Sequence, residues 1–252
     1  MTNFSNFTDA ILSAFKSSGR RDEIVAKKHE ILREIYRFHN FEPSNVLFVG
    51  FSPAILAEKN SKIYVTEISD SSRNFLDEAK VKYEYVATEQ LSNYRKKFDV
   101  VVALDEFFTF GDSDQFQQQQ IALFCGLTKE IMISTLKDYK NLDFKEREFS
   151  HPALIRSTTE NSLFCEFHDW SLKDRANWKS WIYEITNPTN AMTAYGPFQR
   201  RTMYFKQLAK FSKDAGADDF LVHRNLMYKG ITRKNYEHVI SVRFDEYNDE
   251  HQ

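Results

Sequence analysis

The spacing of apolar residues changes character twice along the chain. Through the first forty residues it is helical: Phe4, Phe7, Ile11 and Phe15 recur every three or four positions, and Ser17-Ser18-Gly19 breaks the run. A second helix is expected from about Asp22, with Ile24, Lys28, Ile31, Ile35 and Phe38 on one face and Asn40 and Pro43 closing it. Lys28 reads as lending its aliphatic stem to that stripe. From Asn45 onward, short apolar runs alternate with helical stretches. Residues 46–49, 63–68, 83–86, 99–104 and 131–134 read as strands. Residues 46–49 are continuously apolar, as expected of a strand covered on both faces, and 99–104 is the most apolar of the set. Between them Ser52-Pro53 has the form of an N-cap followed by Pro at the first helical position. Further helices are expected near 71–80 and over 114–127.

After Tyr139 the pattern loosens. Residues 140–160 are polar and irregular, whereas 162–170 and 177–186 look like two strands joined by 171–176 as an antiparallel pair. A helix is expected over 202–215 and a closing strand over 236–244. Strands alternating with helices imply a parallel sheet. The expected class is therefore α/β: a mostly parallel Rossmann-like sheet with helices on both faces and an antiparallel hairpin at one edge. One domain is expected over 1–252, with helices in 1–43, the core sheet in 44–190, and a basic helix and closing strand in 191–252.

Composition narrows this picture. Twenty-three Phe, twelve Tyr and three Trp supply a large apolar area, while seven Gly leave little for a glycine-rich loop. No apolar run is long enough to span a membrane, and the first residues lack the form of a signal peptide. A cytoplasmic location without membrane association is expected. Cys125 and Cys165 lie in apolar stretches and read as buried free thiols.

The net charge of −2 is unevenly spread, because residues 200–234 carry nine Lys and Arg against three Asp. Lys206, Lys210 and Lys213 align opposite the apolar face of Phe205, Leu208, Phe211 and Ala215. Arg200, Arg201, Arg224, Lys229, Arg233 and Lys234 flank them, interleaved with Tyr204, Tyr228 and Tyr236. Two readings stand: a solvated helix face, or a surface for a phosphate-bearing partner such as nucleic acid. The acidic remainder of the chain favours the first.

In an open α/β sheet, ligands bind at the carboxyl ends of the strands where the strand order reverses. Those ends here are Val49-Gly50-Phe51-Ser52, Glu67-Ile68 and Leu104-Asp105-Glu106. Through residues 46–50, Glu67 and 98–106, the chain resembles the class I S-adenosylmethionine-dependent methyltransferases over roughly residues 20–190. The resemblance implies S-adenosyl-L-methionine as cofactor. It places Gly50 by the methionine moiety and Glu67 at the ribose, whose cis-diol can give a carboxylate two hydrogen bonds, with Val49, Phe51, Ser52 and Ile68 also lining the cofactor site. Ala87 and Thr88 would lie beside the adenine, with Leu104 lining the site. Asp105 and Glu106 are the candidate general bases. The implied activity is methyl transfer to an oxygen or nitrogen nucleophile, on a small or phosphorylated substrate rather than nucleic acid.

Plainer readings stand beside these. Gly50 is also a reasonable strand-ending turn residue, Glu67 a helix-capping carboxylate, and Asp105 and Glu106 inert loop acids. Only one glycine stands where the family carries two or three. The competing reading is thus a binding protein that kept the fold and lost the cofactor, or another enzyme on this scaffold. No metal site is expected: on a strand Glu166 and His168 share one face, and Cys165 and Asp169 share the other. Asn187-Pro188-Thr189-Asn190 reads as a turn.

Overall fold

The computed structural model describes residues 3–140, 147–150, 162–170, 176–186, 189, 191–223 and 237–244. Two helices, α1 (Asn3–Ser17) and α2 (Arg21–Phe38), open the chain. They lead to β1 (Asn45–Val49), β2 (Lys62–Thr66), α3 (Asp70–Glu78), β3 (Tyr83–Tyr85), β4 (Phe98–Ala103), α4 (Asp114–Leu127) and β5 (Thr128–Lys137). Next come β6 (Arg147–Ser150), β7 (Ser162–Asp169), β8 (Asn177–Thr186) and β9 (Ala191–Arg201). The chain closes with α5 (Phe205–Asp214), β10 (Asp219–His223) and β11 (Glu237–Arg243).

Seven strands form one sheet in the order β10-β11-β5-β4-β1-β2-β3. The five from β3 to β5 are parallel. β11 runs against both its neighbours, so β10 points the same way as β5. From β1 the chain builds outward through β2 and β3 on one side and through β4 and β5 on the other. The order therefore reverses between β1 and β4, which opens a crevice at their carboxyl ends. Residues 46–49 are all buried, as a strand covered on both faces requires. The expected α/β class, with its mostly parallel sheet and antiparallel edge, is the observed one.

The edge pair is not the one read from the sequence, however. β10 and β11 form it, whereas residues 162–186 belong to a second, antiparallel sheet of order β6-β7-β8-β9. The reason lies in the side chains. β7 alternates buried and half-buried residues, which suits a sheet packed on one face only. A place in the main sheet demands two apolar faces. β6 falls in a stretch read as irregular, and β9 carries Gly196-Pro197 at its middle, residues that ordinarily mark a break. Of the tetrapeptide read as a turn, Thr189 lies in a turn between β8 and β9, and its three companions lie outside the described residues.

A second difference follows β1. Ser52 does act as an N-cap, accepting a hydrogen bond from the Ala54 N–H, but the helix it opens is one 3-10 turn, Pro53–Leu56. Only five residues separate that turn from β2, too few for a crossover helix. α2 packs on the turn and supplies the missing cover.

No helix among the described residues is long and apolar enough to cross a membrane. One aromatic cluster joins α1 to the loop after β4 and to the second sheet. Phe4 and Phe7 of α1 meet Phe107, Phe110 and Phe198 with ring centroids 4.7–5.3 Å apart, mostly edge to face. Leu47, at the centre of β1, is fully buried. Leu47→Ala should cost about 2–5 kcal/mol, read as a lowered urea midpoint at an unchanged slope. A loss within error of zero would mean that β1 is not the centre of the core.

Candidate active site

The residues singled out at the strand ends do come together. The Gly50 N–H donates to the Thr66 carbonyl at 2.8 Å, tying the end of β1 to the end of β2. Glu67 follows directly, and its Oε1 accepts a hydrogen bond from the Thr88 hydroxyl at 2.8 Å, beyond β3. Val49, Ile68 and Leu104 are buried around these groups, and Ala87 and Thr88 are half-buried. Ser52 spends its hydroxyl on its own cap. Phe51 is buried between Phe15 and Phe75, with centroids 5.9 and 5.7 Å away.

Backbone strain collects at the same place. Gly50 (φ +80°), Glu67 (+54°), Asp105 (+56°) and Glu106 (+55°) are all left-handed. For residues other than glycine each such conformation costs on the order of 1–3 kcal/mol, and it persists only where the surroundings enforce it. Around Asp105-Glu106 they do. The Glu106 N–H donates to Thr135 Oγ1 at 3.1 Å, and its carboxylate accepts from Tyr139 Oη at 2.6 Å and from the Lys137 N–H at 3.2 Å. Lys137 Nζ closes an ion pair at 2.8 Å.

These neighbours push the two acids apart. Burial raises the Glu106 carboxyl, but Lys137 and Arg200 outweigh it, so Glu106 is held below the usual carboxylate range. At Asp105 burial prevails, against the pull of Lys28 Nζ 3.7 Å away, and its carboxyl sits above that range. Lys28 itself is a correction to the sequence reading. Its ammonium, not only its stem, is buried, and it reaches from α2 to face Asp105.

Arg200 is a second correction. Placed by sequence among the surface cations, it is 2% exposed. Its guanidinium donates to Thr109 Oγ1 and Ser180 Oγ, stacks 3.6 Å from the Phe110 ring centroid, and faces Glu166 at 3.6 Å. A bridge between Phe110 and Arg200 joins the loop after β4 to the second sheet. Glu166 and His168 lie on the buried face of β7, 3.1 Å apart, with Cys165 and Asp169 on the other face. Burial raises the Glu166 carboxyl, yet His168, Lys137 and Arg200 together hold it far below its ordinary value.

Lys206, Lys210 and Lys213 are exposed on α5, as expected. Arg201 pairs with Asp114, and Arg224, Lys229, Arg233, Lys234, Tyr228 and Tyr236 lie outside the described residues. Sequence reasoning missed Lys137, Tyr139 and Arg200. It also missed the use made of α1, which lies across the crevice. A Cβ on Gly50 would overlap the Phe4 ring and come within 2.9 Å of the Thr8 methyl. The Asp9 carboxylate accepts hydrogen bonds from Ser69 and Ser72. The close backbone approach that Gly50 permits is thus made by the protein's own helix.

No protein-family model matches the sequence, and no curated protein matches it in sequence. Solved structures match its fold. An S-adenosylmethionine-dependent methyltransferase from Clostridium acetobutylicum is 11% identical, with 87% of this chain and 91% of that one covered and a TM-score of 0.65. An amino pentose methyltransferase of calicheamicin biosynthesis from Micromonospora echinaspora, solved with S-adenosylmethionine bound, is 9% identical over 93% and 95%, at 0.62. A sugar N-methyltransferase from a Streptoalloteichus species is 10% identical over 88% of each chain, also at 0.62. The chain has the fold of the S-adenosylmethionine-dependent methyltransferases.

The ion pair at Glu106 has a pH signature. Its carboxyl is lowered in the folded state, so its stabilisation is complete above the unfolded value and lost as pH falls through the folded one. Glu106→Gln should cost about 3–5 kcal/mol at pH 7 by breaking the buried Glu106–Lys137 pair. In urea titrations the gap between variant and wild type should narrow below about pH 4.3, the unfolded value. Equal stability at pH 7 would contradict the pairing.

Proposed function

We propose that the protein transfers a methyl group from S-adenosylmethionine to a nitrogen or oxygen nucleophile. The observation that carries this reading is the Glu67–Thr88 hydrogen bond beside the left-handed Gly50, at the point where the strand order reverses. The fold shared with known methyltransferases supports it.

The residues present fit the cofactor at its ribose end. Glu67 holds a carboxylate just beyond β2, where it can accept from two ribose hydroxyls, and Thr88 is its present donor. Ala87 and Ile68 offer apolar contact for the base. At the methionine end, Gly50 is the right residue, but Phe4 and Thr8 cover it. Cofactor entry on this reading lifts the first turns of α1. When bound, the cofactor supplies an electrophilic methyl carbon, and displacement there depends mainly on alignment.

Asp105 is the group proposed to take a proton from the acceptor, because its raised carboxyl is the better base of the two. Glu106, held by Lys137 and Tyr139, positions the loop that carries Asp105. Lys28 keeps the Asp105 carboxylate oriented from the α2 side.

S-adenosylhomocysteine at a hundred times its dissociation constant should stabilise the protein by about 2.7 kcal/mol, and NAD should not. Glu67→Ala should weaken that binding by about 1.5–3 kcal/mol while leaving the fold intact. No thermal shift at millimolar S-adenosylhomocysteine would overturn the reading in favour of a non-catalytic protein with this fold.

Phe4→Ala separates the covering role of α1 from its packing role. The variant should lose about 3–5 kcal/mol of stability, yet bind S-adenosylhomocysteine more tightly, because less must be displaced. Weaker calorimetric affinity in the folded variant would show that Phe4 supports the site instead of covering it.

A further inference from the structure

Phe4 stands between two spaces. One part of its ring covers Gly50, and the ring also lines a pocket of about 320 Å³ shared with Phe107, Phe110 and Phe116. At the mouth of that pocket stand Asp112, Gln120 and Gln199. We propose that this pocket is the acceptor-binding site and that its occupant is an aromatic ring bearing an amine. The inference rests on the methyl-transfer reading and names its substrate class.

Position supports it first. Phe107 and Phe110 belong to the turn that begins at Asp105-Glu106, so a ring held there lies on the segment that carries the candidate base. When Phe4 lifts from Gly50 for the cofactor, the wall between that crevice and the pocket goes with it. A single movement of α1 joins the two sites.

The walls select the ring. Phe4 meets Phe107 and Phe110 edge to face, at centroid distances of 4.7 and 4.8 Å. Once Phe4 has lifted, a planar ring of the acceptor can take over its edge-to-face contacts with Phe107 and Phe110, which aromatic quadrupoles favour. The volume lies within the range of small-molecule sites.

The rim selects the charge. Asp112 is the charged side chain among the described lining residues, and it is exposed; Gln120 and Gln199 add neutral amides. A cationic amine meets a carboxylate and aromatic faces there. A phosphate would meet Asp112 with no cation among the described lining residues to balance it. Arg200 lies behind Phe110 and is engaged by Glu166 at 3.6 Å. A phosphorylated acceptor, one of the two kinds expected from the sequence, does not suit this rim.

The test is ligand-observed NMR and calorimetry with tyramine and phenyl phosphate, in the presence of S-adenosylhomocysteine. Tyramine should bind and phenyl phosphate should not. Gln199→Trp, at an exposed position over the mouth, should weaken tyramine by about tenfold or more. Asp112→Asn should weaken it about two- to fivefold, the scale of an exposed ion pair. Neither variant should change affinity for S-adenosylhomocysteine. The inference is overturned if tyramine does not bind, if Gln199→Trp leaves it unchanged, or if phenyl phosphate binds equally well. Should S-adenosylhomocysteine bind while tyramine fails, the methyl-transfer reading survives alone; should both fail, both are overturned.

Discussion

Two adjacent acidic residues at the end of β4 are folded into left-handed backbone and buried, and three cations from three different elements keep them there. Lys28 comes from α2, Lys137 from β5 and Arg200 from β9. Removing any one leaves a buried carboxylate short of its counter-charge, which costs several kcal/mol. The loop after β4 therefore draws its counter-charges from α2, the main sheet and the second sheet together. The ion pairs thus tie the three together around the crevice. Arg200 serves two ends of this network, because it also answers Glu166 from the second sheet.

The same junction explains where α1 lies. It packs between the carboxyl ends of the main sheet and the strands β8 and β9. There it shields the ion network with Phe7, which stacks on Arg200, and covers Gly50 with Phe4 and Thr8. One helix completes the core and closes the crevice. On the proposed function, the cofactor binds with an affinity reduced by the fraction of molecules in which the helix has moved. In return the helix keeps water from the buried charges while no ligand is present.

The parallel strands were legible as short apolar or aromatic runs between helices, most plainly in β1 and β4, whereas β10 at the edge was not read as a strand. The carboxylates at strand ends were legible for a related reason: Glu67, Asp105 and Glu106 interrupt those runs where a ligand crevice has to be. The second sheet was harder to read. Its alternating strands were recognised at 162–186, but the one-sided burial that alternation implies was not used to set them apart from the doubly covered main sheet. Lys28 and Arg200 were misread because a cation buried by a distant partner has the same local pattern as one on the surface. The signal for Lys28 was its place on an apolar helix face; that for Arg200 was the flanking Phe198 in a strand disguised by Gly196-Pro197. Nothing in the spacing of Phe4 or Thr8 distinguishes a helix that covers a site from one that merely packs.

The central claim is that the crevice between β1 and β4 is a cofactor site covered by α1. The most direct measurement is a crystal structure grown with saturating S-adenosylhomocysteine. The expected result places the ligand over Gly50, with its ribose hydroxyls on the Glu67 carboxylate and the Phe4 ring displaced. Ligand bound elsewhere, or Phe4 still seated on Gly50 in the saturated complex, would contradict it.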